Sequence, residues 1–308
     1  MDKLLIKQEL NTTITRDEFL KDIDSIFLIL KDSYGMYEYF GEDLFEKARV
    51  NTKKRIAAMV YDFNQGISIL KDELSFIKDG HFYIGKPRNF TEKYDYAVRY
   101  TFWEDVPVID CKKLYHCNDE ERKQLETFKD SAQRYKNHDP LIIDLRDNAG
   151  GSTTYIYDFL CELTDREVGY SLKYVQKNSK LFLAYLKKKG IEWEGKKEIE
   201  VLEETCPPIP NEKPIYVLFN EYSASAAEEA IAFLRNIENV TLVGNHSAGV
   251  GSCGNCISVY LPYSHLEVYF GTGLVLYDGH INIDAEGGFK GDISEKEFLE
   301  LIKELHIK

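Results

Sequence analysis

At 308 residues the chain is long enough for one large domain or two smaller ones. Hydrophobic residues make up 44% of it and charged residues 30%, the balance of an ordinary folded protein. A net charge of −13 argues against a nucleic-acid partner or an anionic membrane held by bulk electrostatics, and no run of apolar residues is long enough to span a bilayer.

Residues 1–78 read as a helical module. The apolar patch in Met1–Glu9 is too short for a signal peptide, so the chain as written is expected in the cytoplasm. Thr15 with Glu18 three residues on forms a capping-box pattern. Phe19, Ile23, Ile26, Phe27 and Leu30 then fall on one helical face. The spacing predicts further helices near Glu42–Val60 and Ile67–Lys78, the latter with Ile67, Leu70, Leu74 and Ile77 as its apolar stripe.

The remainder, 79–308, carries both strand and helix patterns. Tyr94, Tyr96, Tyr100, Phe102 and Trp103 suit a half-buried strand, with a substrate groove as the other reading. A charged helix follows near Asp119–Tyr135. Leu141–Leu145 is a buried strand that runs into the charged turn Arg146-Asp147-Asn148 and then Gly150-Gly151, before a helix over Thr154–Leu163. Two adjacent glycines let a backbone approach a ligand closely. The Lys- and Glu-rich stretch 166–210 reads as an exposed insertion or arm, ended by Pro207, Pro208 and Pro210.

A strand is expected over Ile215–Phe219 and a second over Val240–Val243, with a helix between them that carries Ala230, Ile231 and Leu234. Ser225 then stands where a strand turns into a helix N-terminus, facing unpaired N–H groups and the positive end of the helix dipole. A serine there is most often only a cap. Further strands are expected over Ile257–Leu261, Leu266–Phe270 and Leu274–Tyr277, and a closing helix over Glu295–His306. The six cysteines are too sparse for a disulfide framework. Cys253-Gly254-Asn255-Cys256 has the spacing of a redox pair or half a zinc site, and the expectation is reduced thiols near a glycine-rich turn.

Three stretches, in this order, raise the serine above a cap. Asp144–Gly151, DLRDNAGG, resembles the D-L-R-x-N-x-G-G motif of the C-terminal processing (tail-specific) peptidases and the related tricorn core protease. Ser223–Glu228, SASAAE, resembles their nucleophile motif, whose second serine is here Ser225. Val243–Gly251, VGNHSAGVG, resembles the V-G-x-x-T-x-G-K-G stretch that follows it. The likeness covers Asp79 to Asp292 and implies a serine peptidase on a ClpP/crotonase-like α/β core, with Ser225 as nucleophile and N–H groups of Gly150, Gly151 and Ala226 as an oxyanion hole.

The departures from the family pattern matter as much. Val250 stands where the processing peptidases carry their lysine base, and valine takes no proton. The tricorn branch uses a histidine instead, and Lys78-Asp79-Gly80-His81-Phe82 resembles its setting, so His81 is the expected base. Activity should then fall as pH drops through about 6–7, the range of an ordinary imidazole. His246, His280 and Lys290 are the substitutes if His81 is structural. The closing turn Asp284–Asp292 has Gly291 where proline is usual; the glutamate of the tricorn set falls at Ala285, flanked by Asp284 and Glu286. Fewer than sixty residues between His81 and Leu141 leave no room for the PDZ domain of the processing branch.

The resemblance implies a peptide or protein substrate and no metal or organic cofactor. It leaves a homo-oligomer open, as well as export with a trimmed leader. The competing readings are a peptide- or ligand-binding homologue that has lost the chemistry, and a hydrolase of other acyl compounds.

Overall fold

A computed structural model describes residues 2–89 and 92–305. Contacts group the chain into two units that are not contiguous in sequence: Met1–Phe90 with Tyr174–Leu202 and Cys253–Val275, and Thr91–Lys173 with Glu203–Ser252 and Leu276–Lys308. Among the described residues, no helix is long and apolar enough to cross a membrane.

The first unit begins with α1 (Arg16–Ser33), α2 (Tyr37–Phe40), α3 (Glu42–Ala58) and α4 (Phe63–Glu73). The capping box at the start of α1 is formed: Thr15 N–H donates to Glu18 Oε2 at 2.8 Å, and Glu18 N–H to Thr15 Oγ1 at 3.3 Å. The expected apolar face is buried, with Phe19, Ile23, Ile26 and Leu30 fully so. Helix α3 stops two residues short of Val60, where Met59 turns to an extended conformation. Helix α4 starts earlier and ends sooner than the Ile67–Lys78 pattern suggests. The Asp62 carboxylate caps it by accepting from Gln65 N–H at 2.8 Å, a signal upstream of the apolar stripe.

The sheet of this unit runs β1 (Tyr83–Gly85), β10 (Glu267–Tyr277), β5 (Leu172–Lys177), β6 (Ile199–Glu204), with β9 (Cys253–Tyr260) also antiparallel to β10. Two expected strands are thus one, β10, which runs through Gly271 and Gly273. These glycines do not break the strand; they make room. Gly35 N–H donates to Gly271 O at 3.0 Å, and a methyl group on Gly273 would lie 2.8 Å from the Tyr174 ring. The stretch 166–210 is more than an exposed arm. It supplies β5, β6 and α8 (Lys180–Lys189), and Gln176, Lys177, Asn178 and Ser179 are buried. Lys177 is buried because its ammonium is paired, with Glu38 Oε1 at 2.8 Å and Lys31 O at 3.0 Å.

The second unit is built on a sheet in the order β2 (Val98–Trp103), β3 (Val106–Cys111), β4 (Leu141–Asp144), β7 (Ile215–Leu218), β8 (Val240–Val243). Only β2 is antiparallel to its neighbour; the other pairs are parallel. Strands β4 and β7 are buried at every position, as continuous apolar runs in parallel sheets are. Tyr100, Phe102 and Trp103 lie in the edge strand β2, with Tyr100 stacked on Tyr135 and Phe102 exposed, whereas Tyr94 and Tyr96 precede it. The charged helix expected over Asp119–Tyr135 is two, α5 (Asp119–Glu126) and α6 (Phe128–Tyr135), joined at Thr127. One face of the sheet packs on α11 (Glu295–Leu305), where Val106, Val108, Ile142, Leu218 and Val243 meet Phe298 and Ile302. His306, the expected end of that helix, lies outside the described residues. Helices α7 (Thr153–Thr164), α9 (Ala226–Arg235) and α10 (Ile283–Glu286) complete the unit. The chain has a mixed α/β fold with an N-terminal helical module.

Candidate active site

The strand β7 ends at Leu218, the chain turns through Asn220–Ala224, and α9 begins at Ala226. Ser225 stands at the hinge between turn and helix with φ 58° and ψ −120°. That is a costly conformation for a residue with a Cβ, and an ordinary cap does not need it: Thr15, at the start of α1, has φ −73° and ψ 163°. The same sharp strand–serine–helix turn is how other hydrolase folds lift a nucleophile out of the backbone.

Two neighbours hold this turn. Ser223 is fully buried; its hydroxyl donates to Leu145 O at 2.8 Å and accepts from Asn220 N–H at 3.0 Å. The first serine of the motif is therefore a staple between the two motif strands. Glu228 is also fully buried. Its carboxylate accepts from Ser225 N–H at 3.2 Å, Ser247 Oγ at 2.6 Å, Gly249 N–H at 2.7 Å and Val250 N–H at 2.8 Å. Burial pushes this carboxyl up from its ordinary value, and the donated hydrogen bonds oppose the shift. Glu228 thus ties the turn that carries Ser225 to the loop that carries Val250. The sequence reading passed over it, although Ser225-x-x-Glu228 is itself a capping-box spacing.

The glycine motif meets the serine from the other side. Asn148 is fully buried; its carbonyl accepts from Ala224 N–H at 2.8 Å, and its side-chain amide donates to Cys111 O at 3.0 Å. Gly150 has φ 89°, and a methyl group there would lie 2.8 Å from Ser225 Cβ and 2.9 Å from Ala226 N. Only a glycine lets the two motifs come this close. Its N–H is already committed, donating to Asn148 Oδ1 at 2.8 Å, so it is not free for an oxyanion. Gly151, with φ 136°, is locked against Leu114, whose N–H and carbonyl bond to Gly150 O and Ser152 N–H at 2.7 Å each. The N–H groups of Gly151 and Ala226 meet no acceptor among the described residues. Asp147 anchors the turn below them. Burial favours its neutral form, but bonds from Tyr94, Lys93 and Asn220 win and hold its carboxyl at about 2.

The acids of the closing turn differ. Asp284 is half-buried and accepts from Ser252 N–H at 2.7 Å, beside the loop held by Glu228. Glu286 is exposed. His246 and His280 are exposed and bound locally through Nδ1, to Ser247 O and Asp278 O at 2.8 Å each, and Lys290 is exposed.

His81 belongs to the first unit. Its N–H donates to Asp79 Oδ1 at 2.8 Å, and Asp79 Oδ2 accepts from Tyr34 Oη at 2.8 Å. Burial lowers the imidazole's pKa, with Arg88 adding to the shift and Asp79 opposing it. The ring is therefore neutral at pH 7. Its Nδ1 has no hydrogen-bond partner among the described residues.

Residues 105–290 match the profile of peptidase family S41, and the chain belongs to that family. No curated protein matches the sequence. Among solved structures the chain is similar to mature CPAF complexed with lactacystin, at 13% identity and a TM-score of 0.66 over 95% of this chain and 98% of that one. It is also similar to a lipoprotein from Streptococcus agalactiae, at 14% identity and a TM-score of 0.55 over 96% and 98%. A candidate peptidase from Parabacteroides merdae shares 17% identity and a TM-score of 0.56 over 94% and 93%. At these identities the likeness speaks to the fold, which is that of the S41 peptidases.

Proposed function

We propose that this protein is a serine peptidase in which Ser225 is the nucleophile and His81 the general base. The observation that carries the reading is the backbone of Ser225, strained at a helix start and held by Glu228 and Gly150. Ser225 Oγ attacks the scissile carbonyl while His81 takes its proton. The N–H groups of Gly151 and Ala226 hold the negative charge that develops on the oxygen, each worth about 3 kcal/mol in sites of this kind. Gly150 serves by close approach. The C–N bond then breaks, His81 passes the proton to the leaving amine, and water releases the acyl group from Ser225. Asp284, facing the loop beside Glu228, is favoured over the exposed Glu286 as the supporting acid.

The test is covalent labelling by a fluorophosphonate, followed by mass spectrometry of the labelled peptide, on the parent and Ser225→Ala. Ser225 is expected to carry the label, and the variant to lose both label and peptidase turnover while keeping its fold. Turnover at the parental rate in Ser225→Ala overturns the nucleophile assignment. A parent that neither labels nor cleaves leaves the peptide-binding homologue as the reading.

A further inference from the structure

Helix α9 carries Glu229 one turn beyond Ser225, and Glu229 N–H bonds to Ser225 O at 3.1 Å. The Glu229 side chain lines a cleft of about 500 Å³ that lies wholly within the second unit. That is ample room for one long side chain. Tyr157, Tyr170 and Phe233 form an aromatic wall: the Phe233 ring meets Tyr170 at 5.0 Å and Tyr157 at 5.8 Å between centroids. Glu167 and Glu204 also border the cleft, against the single guanidinium of Arg166. Three carboxylates to one cation leave it acidic.

The Glu229 Oε1 accepts from Tyr170 Oη at 3.1 Å. Burial pushes the Glu229 carboxyl up, and it makes no ion pair among the described residues. A half-buried carboxylate beside aromatic faces attracts a cation twice over, by charge and through the ring quadrupoles.

We propose that this cleft is a specificity subsite for a basic side chain, lysine or arginine, of a residue flanking the scissile bond. The proposal rests on the reading of Ser225 as the nucleophile. Glu229 is the residue that pairs with the cation, and Tyr157 and Phe233 line its aliphatic stem.

The experiment has a kinetic and a binding arm. Matched peptides carry lysine or the uncharged isostere norleucine at each position from two before to two after the scissile bond. In the parent, kcat/KM is expected to favour lysine over norleucine at least tenfold at one of these positions. Glu229→Gln, which keeps the shape, should bring that ratio to near one; Tyr157→Leu should lower it less. A ratio unchanged in Glu229→Gln, or a parent that prefers norleucine, overturns the subsite. The binding arm uses Ser225→Ala and fluorescence anisotropy with the same labelled peptides, so it does not depend on turnover. A lysine preference in binding that Glu229→Gln removes supports the subsite even if the parent proves inactive. Equal binding of both peptides refutes it even if the parent cleaves.

Discussion

Ser225 is surrounded by residues whose own needs are met by holding it. Glu228 has four donors on two oxygens, all from the Ser225 turn and the 247–250 loop. Glu228→Gln keeps the shape but turns an amide NH2 toward N–H donors. Two buried groups then face each other without an acceptor, at a cost of about 2–4 kcal/mol. Urea unfolding should show that loss, and fluorophosphonate labelling of Ser225 should slow with it. Full stability in the variant contradicts the assignment. The Ser223 contacts carry a related lesson. The Ser223 hydroxyl is fully buried between Leu145 O and Asn220 N–H. Ser223→Ala should cost about 1–3 kcal/mol.

The proposed base, His81, sets an expected pH dependence. Protonation removes the base, so the rate falls as pH drops through the imidazole's own pKa. Burial holds that pKa below the ordinary ~6.5, so the acid limb should lie below it, lower than sequence alone suggests. A kcat/KM profile checks this. His81→Gln should lose most turnover at every pH, and full activity in that variant transfers the role elsewhere.

At the scale of elements, β10 shows how backbone contacts override a local pattern. Glycine disfavours strands, and Gly271 and Gly273 divide the apolar runs on either side. The strand continues through them because other chain segments press close. A methyl group on Gly271 would lie 2.5 Å from Cys253 Sγ and 2.7 Å from Gly254 O. Gly271→Ala should therefore destabilise by about 1–3 kcal/mol, although alanine is the better strand former. An unchanged urea midpoint would show that β9 shifts freely to accept it. The same logic applies at Gly150, where an added methyl meets the nucleophile turn itself.

At the scale of the whole molecule, the acid limit of stability can be read from Asp147. Its folded carboxyl sits at about 2, against ~3.9 when unfolded. A depressed carboxyl contributes stability that is present above the unfolded value and lost as pH falls through the folded one. The window is pH 4 to 2, and the contribution about 2 kcal/mol. Urea unfolding of the parent should steepen with falling pH across that window, and Asp147→Asn should flatten the slope by this amount. Equal slopes in the two proteins would place the acid sensitivity in other groups.

What the sequence by itself determined is local and chemical. Thr15 and Glu18 close their capping box because both partners lie within one turn. The apolar runs Leu141–Ile143 and Ile215–Leu218 lie in buried strands because apolar stretches of that length, rich in β-branched residues, are most stable out of water. The two motifs around Gly150 and Ser225 are legible because close approach and nucleophile chemistry each restrict the residue type. Tertiary structure decided what depends on partners distant in sequence. The charged stretch after Arg166 supplies two strands of a sheet, and its buried Lys177 is neutralised by Glu38, far upstream. The Gly150 N–H is spent on Asn148, whose amide is turned by its bond to Cys111 O, 37 residues upstream. Glu228 acquires its role only when a loop nineteen to twenty-two residues downstream folds back onto its carboxylate. A buried charge is decided by whichever group satisfies it, and that group can come from anywhere in the chain.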